Sequence, residues 1–270
     1  MRAWLRHLAR SSGTVCLLTG FALAACNVHG WWHPAIADPA SIPILDTEAQ
    51  TLSEQDFWRS AERLPSEADA AYADRLRTLV GARMLLVDPK HLHPGFTENW
   101  LLWTYAKLRG RFEWVDERRS IRMGAGFCSA HAMVYNSVAS THGLKSRIWA
   151  LDGHVVNEVW LANGWQVVDA DYGISFGKPL SQLTKEPETV YQAYLRAGRP
   201  DWSARRWRDI YLRSAGHRSF ETASGYAWKA WLIESTSWIL IWLIPGWLAW
   251  QGLKLRSRPS AAEHAGSGRR

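Results

Sequence analysis

The chain has 270 residues, enough for one ordinary domain with attachments or for two small ones, and at 47% apolar and 21% charged it is not a disordered chain. Its net charge of +7 suggests a nucleic-acid or acidic-surface binder until the charges are placed. Arg2, Arg6 and Arg10 supply +3, and Lys254, Arg256, Arg258, Arg269 and Arg270 less Glu263 supply +4, so residues 11–253 are neutral and the electrostatic case for nucleic acid disappears.

The basic start followed by mostly apolar, small residues over 14–25 has the order of an export signal, assigned to residues 1–26. Leu23-Ala24-Ala25-Cys26 resembles the lipobox of bacterial lipoproteins, which implies lipidation at Cys26; ordinary cleavage and an uncleaved anchor stay open beside it. Residues 27–50, with Pro34, Pro39 and Pro43, read as an extended tether. Residues 51–96 read as a helical support region, with helix caps at Ser53 and Ser66 and an amphipathic helix over about 67–80. His91 and His93 lie in a loop without a nearby ligand cluster and are expected to be solvated. Thr97 is expected to cap a helix that runs to Gly110, and Asp116-Glu117-Arg118-Arg119 to form a solvated turn.

Chemistry concentrates in residues 124–175. Cys128 follows a glycine-rich turn and opens an apolar-periodic helix that stops at Gly143, a position where the helix dipole favours thiolate over thiol. With Cys16 and Cys26 in the leading segment, it has no disulfide partner in the folded part. The pattern then alternates, and residues 145–151, 154–161 and 165–170 read as three strands separated by Asp152-Gly153 and Asn163-Gly164, hence an antiparallel meander. His154 opens the second strand and Asp169 lies near the end of the third. A cysteine at a helix start with a histidine and a carboxylate on neighbouring strands are the parts of a thiol acyl-transfer triad: Cys128 attacks an amide, His154 moves the proton, and Asp169 orients the imidazole. One difficulty is register. A two-residue turn at Asn163-Gly164 would set Glu158 opposite Asp169 and His154 opposite Gly173, four positions or roughly 13 Å off, so a bulge or wider turn is expected to restore the contact.

Gly126-Phe127-Cys128, Gly143-Leu144-Lys145-Ser146-Arg147, His154 to Trp160 and Gly164 to Asp169 with Tyr172-Gly173 together resemble the core of the transglutaminase-like superfamily, over about residues 97–175. The resemblance implies an α+β fold with a papain-like core, a helix bearing an N-terminal cysteine packed on an antiparallel sheet, and it implies Cys128 as nucleophile, His154 as base and Asp169 as orienter. It implies a protein or peptide substrate and no cofactor. Ala130 and His131 depart from the family's usual residues after the cysteine. The Cys128 N–H is one candidate oxyanion donor, and Asn99, Trp100 and Trp103 are candidates for the second. A competing zinc site from Cys128, His131, His154 and Asp169 lacks paired ligand spacing, and no metal is expected.

Residues 176–227 read as a helical extension with helices from Glu186 to Arg196 and about Ser203 to Ser214, Trp202, Trp207 and Tyr211 packing inward and Arg205, Arg206 and Arg208 facing solvent. From Leu232 to Leu253 the chain is nearly all apolar, and 22 residues of helix rise about 33 Å, enough to cross a bilayer. The transmembrane helix is placed at 228–253 and the basic tail at 254–270, on the cytoplasmic side by positive-inside logic. The expectation is a bacterial inner-membrane enzyme with its catalytic domain in the periplasm, cleaving or transferring peptide or side-chain amides through a thioester. The alternative is a silent module of the same fold, tethered to the envelope beside polysaccharide machinery.

Overall fold

The computed structural model describes residues 2–35, 51–162, 164–213 and 216–257. The chain divides into two compact units, one of residues 1–35, 94–105 and 235–270 and one of residues 36–93 and 106–234. Both long terminal helices contribute to the first unit.

That first unit holds α1 (Arg2–Trp32), the start of α4 (Trp100–Arg109) and most of α11 (Trp228–Arg256), whose other elements are given below. Residues 10–32 of α1 and the whole of α11 are long and apolar enough to cross a membrane. The two run antiparallel against each other through glycines. A Cβ on Gly20 would meet the Pro245 carbonyl oxygen at 2.7 Å, and one on Gly13 the Gly252 carbonyl at 2.9 Å, so the helices approach as only small residues allow. Asn27 donates its side-chain amide to the Ile241 carbonyl. The helix thus runs straight through Cys26 to Trp32, where a tether was expected from residue 27; residues 36–50 of that tether and the tail beyond 257 lie outside the described residues.

The second unit is α+β. It begins with α2 (Glu54–Ala61), capped by Ser53 accepting from the Asp56 N–H at 3.1 Å as expected. Next comes α3 (Asp69–Arg83), which starts after Ala68 without a side-chain cap, so Ser66 is not its cap. Strand β1 (Leu85–Leu86) pairs in parallel with β2 (Ala125–Gly126). Between them lie α4, whose N-terminus is capped by Asn99 rather than Thr97, and α5 (Glu117–Met123). The expected turn at 116–119 is the start of that helix, with Asp116 accepting from the Arg118 N–H at 2.8 Å. Gly124 closes α5 in the left-handed region, and Gly126 leaves no room for a Cβ, which would sit 2.5 Å from the Ala130 Cβ.

Helix α6 (Cys128–Thr141) then leads into a meander of β3 (Ser146–Leu151), β4 (His154–Leu161), β5 (Gly164–Asp169) and β6 (Ile174–Ser175). After α7 (Leu180–Leu183), α8 (Pro187–Arg196) and α9 (Asp201–Leu212), β7 (Arg218–Phe220) returns to the sheet, and α10 (Ala223–Tyr226) follows. The five-stranded order is β6-β5-β4-β3-β7. The helical extension therefore also contains a strand on the far edge of the sheet, paired with β3 through Ile148 and Phe220.

The pleat of β4 sorts its side chains to two cores. Val155, Val159 and Leu161 join clusters with α6, while Val156 joins α7, α8 and α9 through Leu180, Tyr194 and Ile210. The sheet is thus covered on both faces. Trp207 and Tyr211 pack inward as expected, but Trp202 is 67% exposed on the outer side of α9.

Glu158 ties these layers together. Its buried carboxylate accepts from Arg147 at 2.7 and 2.9 Å, from the Trp149 indole N–H at 2.6 Å, and from the Leu180 backbone N–H at 2.6 Å. Replacing it by alanine strands three donor groups, and Glu158→Ala is expected to cost about 3–5 kcal/mol. Arg59→Ala, which breaks only an exposed pair with Asp56, is expected to cost about 0.5 kcal/mol or less. Chemical denaturation of the full chain in detergent compares the two, and equal losses would contradict this account of the sheet.

Candidate active site

Strand β4 leaves its two-residue turn from β3 with Leu151 opposite His154, the turn that Asp152-Gly153 predicts; Gly153 takes a positive φ of 107°. On the other side Leu161 pairs with Gly164, Trp160 with Trp165 and Asn157 with Val168. The reversal therefore falls one residue earlier than the Asn163-Gly164 expectation, with Gly164 already in the strand, and no bulge or widened turn is needed. Continued one step, the register sets Asp169 level with Val156, two positions rather than four from His154 and on the same face. Side chains can bridge that diagonal, and His154 Nε2 lies 2.8 Å from Asp169 Oδ2.

The third member arrives from α6. Cys128 Sγ, a His154 ring nitrogen and an Asp171 carboxylate oxygen all lie within 4.8 Å of one another, and all three residues are buried. Nε2 of His154 is taken by Asp169, and Nδ1 has no hydrogen-bond partner among the described residues. Burial pushes the Asp169 carboxyl up, but the His154 charge and hydrogen bonds with Asp171, His154 and Tyr194 outweigh it and hold Asp169 below the usual carboxylate range. An ionised Asp169 only accepts, so in the neutral ring Nε2 carries the proton and Nδ1 is the basic nitrogen.

Three aromatic residues to which the sequence reading gave no role in the site complete this geometry. Tyr194, fully buried on α8, donates its hydroxyl to Asp169 Oδ2 and lies 3.5 Å from His154 Nε2. Trp207 and Tyr172 flank the imidazole with ring centroids 4.4 and 5.8 Å away, so the pair sits in an aromatic enclosure. Nothing near residues 194 and 207 in the sequence marks this role, because their spacing is that of ordinary amphipathic helices. Asp171, in the turn between β5 and β6, stands beside His154 with Oδ1 3.9 Å from Nε2.

The thiol does not follow expectation. Burial pushes Cys128 well above the ordinary thiol value, and Asp171, Glu113 and Asp169 add to this, against a backbone hydrogen bond with Val155. Beside the start of α6, buried Glu113 accepts from the N–H of the N-cap residue Phe127 at 3.0 Å and from the Ser129 hydroxyl at 2.5 Å, which sets a carboxyl group where the helix end should favour thiolate. Cys128 is 5% exposed, in an apolar cluster with Met133, Ile148, Val155 and Ala223 against which Phe220 and Tyr226 pack. The resting group is a neutral thiol.

Other expected site residues fall elsewhere. His131 lies inside α6 with Nδ1 2.9 Å from the Phe127 carbonyl and Nε2 3.1 Å from the Met84 carbonyl; burial favours its neutral form, which donates to one of the two, and the ring is turned to these carbonyls and is not among the ligand atoms grouped with Cys128. Asn99, Trp100 and Trp103 belong to the unit of α1 and α11, not to that of Cys128. The Asn99 amide is spent on Ser237 at 2.9 Å and on the Leu102 N–H at 3.0 Å.

No protein-family model, curated protein or solved structure matches the chain. The site is therefore judged on its geometry alone: a buried Cys/His/Asp group in an α+β unit, in a chain with two apolar helices of membrane-crossing length.

The depressed Asp169 carboxyl makes a signed prediction. Its stabilisation is fully present above the unfolded carboxyl value of about 3.9 and is lost as pH falls through the lower folded value. The stability difference between the native chain and Asp169→Asn should be constant from pH 7 to about pH 5 and shrink below that. Tyr194→Phe removes one donor, should cost about 1 kcal/mol, and should narrow the same window. Denaturation midpoints across pH test both, and a pH-independent difference would rule out an ionised Asp169 in the folded chain.

Proposed function

We propose that this chain is a membrane-anchored cysteine enzyme of transglutaminase-like type, acting on peptide or side-chain amides through a thioester. The observation that carries the reading is the 2.8 Å contact between His154 Nε2 and Asp169, which leaves Nδ1 without a hydrogen-bond partner among the described residues, with the Cys128 sulfur within 4.8 Å of a ring nitrogen. A cysteine at a helix start, a histidine on a strand and an aspartate on the next strand also have the order of the resemblance seen in residues 97–175.

The steps follow from the protonation states. His154 Nδ1 takes the thiol proton of Cys128 as the sulfur bonds to the amide carbon, so charge separates only as attack proceeds. Asp169, braced by Tyr194, stabilises the imidazolium. That imidazolium then gives its proton to the amide nitrogen as the C–N bond breaks, leaving a thioester and a free amine. Water attacks the thioester in hydrolysis, an amine in transamidation, and His154 takes the incoming proton in either case. The Cys128 N–H at the start of α6 supplies one oxyanion donor. Since the thiol is buried, the substrate gains access only once the cluster around Ala223, Phe220 and Tyr226 opens. A periplasmic location follows from the basic residues at both outer helix ends under the positive-inside rule.

Burial of the thiol is also the observation that favours the second reading, a catalytically silent module of the same fold. A thiol-directed electrophilic probe separates them, with the labelled position read by peptide mass because Cys16 and Cys26 also carry thiols. Cys128 in the native chain should react, and His154→Ala should slow the reaction by about 100-fold or more, the size of a general-base contribution. Equal, slow labelling of both would remove the catalytic reading and leave the silent module.

A further inference from the structure

We infer that Cys128, His154 and Asp171 form a three-ligand site for a borderline divalent cation of the zinc class, and that filling it holds the thiol out of acyl transfer. The binding half stands on geometry alone; the regulatory half rests on the thiol-enzyme reading.

The donor set is the first argument. One sulfur, one imidazole nitrogen and one carboxylate oxygen within 4.8 Å of each other suit a tetrahedral ion with a fourth position for water, and small adjustments of three side chains bring such atoms to a common centre. Sulfur and nitrogen donors select zinc-like ions over magnesium or calcium, which prefer oxygen.

The second argument is the ring of His154. A metal-binding histidine generally holds its other ring N–H against a carboxylate, which fixes the tautomer and raises the basicity of the ligating nitrogen. His154 has that arrangement: Nε2 against Asp169 at 2.8 Å, and Nδ1 buried without a hydrogen-bond partner among the described residues. Asp169 and Tyr194 then form the outer support instead of supplying a ligand. The set differs from the quartet considered on sequence, since His131 turns its ring to the Phe127 and Met84 carbonyls and Asp169 is bonded to His154.

The third is charge. Two of the three donors, the Cys128 thiolate and the Asp171 carboxylate, are anionic when they bind, and a divalent cation held between them offsets both charges together. Binding replaces the S–H bond with a metal–sulfur bond and releases the proton to solvent. The same bond removes the lone pair that attacks a carbonyl.

The test uses the full chain in detergent, treated with a chelator and titrated with Co²⁺ as a spectroscopic stand-in for Zn²⁺. The expected result is one Co²⁺ per chain with a thiolate-to-cobalt absorption band, displaced by Zn²⁺. Cys128→Ser should lose the band, and Asp171→Asn should bind at least tenfold more weakly. Asp169→Asn should weaken binding by about tenfold or more, as outer partners of metal ligands do. If Cys128→Ser does not fold, native protein blocked at its thiols with a methylthio group takes its place and should also lose the band. Absence of the band in the native chain, or Asp171→Asn binding as the native chain does, overturns the proposal. Probe labelling of the chelated protein keeps the two readings apart. Labelling without a metal band sinks only the metal site; a metal band without His154-dependent labelling sinks the catalytic reading and leaves the site standing. Zn²⁺ should suppress labelling of the native chain, and unsuppressed labelling at saturating Zn²⁺ would overturn the regulatory half.

Discussion

The contact between His154 and Asp169 exists because Leu161 pairs with Gly164, and the same register is enforced at several other places in the second unit. With it, Val156 and Glu158 point to α7–α9, and Val155 and Val159 point to α6. A slip of one residue would exchange the faces, turning Glu158 away from Arg147, Trp149 and the Leu180 N–H and leaving a carboxylate among the apolar residues of α6. The catalytic-type pair is therefore held by the packing of both cores and by the Glu158 clasp, not by its own hydrogen bond of about 1–3 kcal/mol. Asn157 adds a polar check on the same register by donating to the Ala132 carbonyl within α6 at 3.0 Å.

Much of this arrangement was legible in the sequence where one physical signal dominates. Alternating apolar residues marked all three central strands to within a residue, and Asp152-Gly153 placed the first turn. Gly143, at a positive φ just past α6, marked the helix stop. The second turn was misplaced because a glycine after asparagine was taken as the second loop residue. Here Gly164 uses its positive φ while paired with Leu161, so the same local preference serves a position one step into the strand. Short strands such as β6 and β7 carry two or three residues each and have no period to detect. Tyr194, Glu113 and Asp171 were not assigned because their roles come from tertiary approach: Tyr194 reaches Asp169 from 25 positions away and Glu113 reaches Phe127 from 14.

In the first unit the packing of α1 bears on its fate. Gly13 and Gly20 are the points at which α1 touches α11, and Asn27 reaches the Ile241 carbonyl. Cleavage before Cys26 would remove both glycines and leave α11 without that partner. Lipidation at Cys26 and the pairing of these glycines would thus exclude one another. Each accounts for the basic residues at Arg2, Arg6 and Arg10, so charge does not choose between them, whereas the close glycine contacts belong only to the paired form.

Electrostatics sets the terms for any chemistry at Cys128. A helix N-terminus lowers a thiol's pKa when its N–H groups are unanswered and solvent screens opposing charges. The second condition fails here, since the thiol is buried, with Glu113, Asp169 and Asp171 opposing its ionisation. A preformed thiolate–imidazolium pair leaves the net charge of this cluster unchanged but sets the thiolate itself beside the carboxyl groups. The neutral thiol avoids that, and in the proposed mechanism proton transfer to His154 accompanies movement of the sulfur's developing charge onto a substrate oxygen. The same excess of carboxylates that discourages the free thiolate is what a divalent cation would relieve. In both proposals the sulfur exchanges its proton for another bond, to an acyl carbon in one and to a metal in the other.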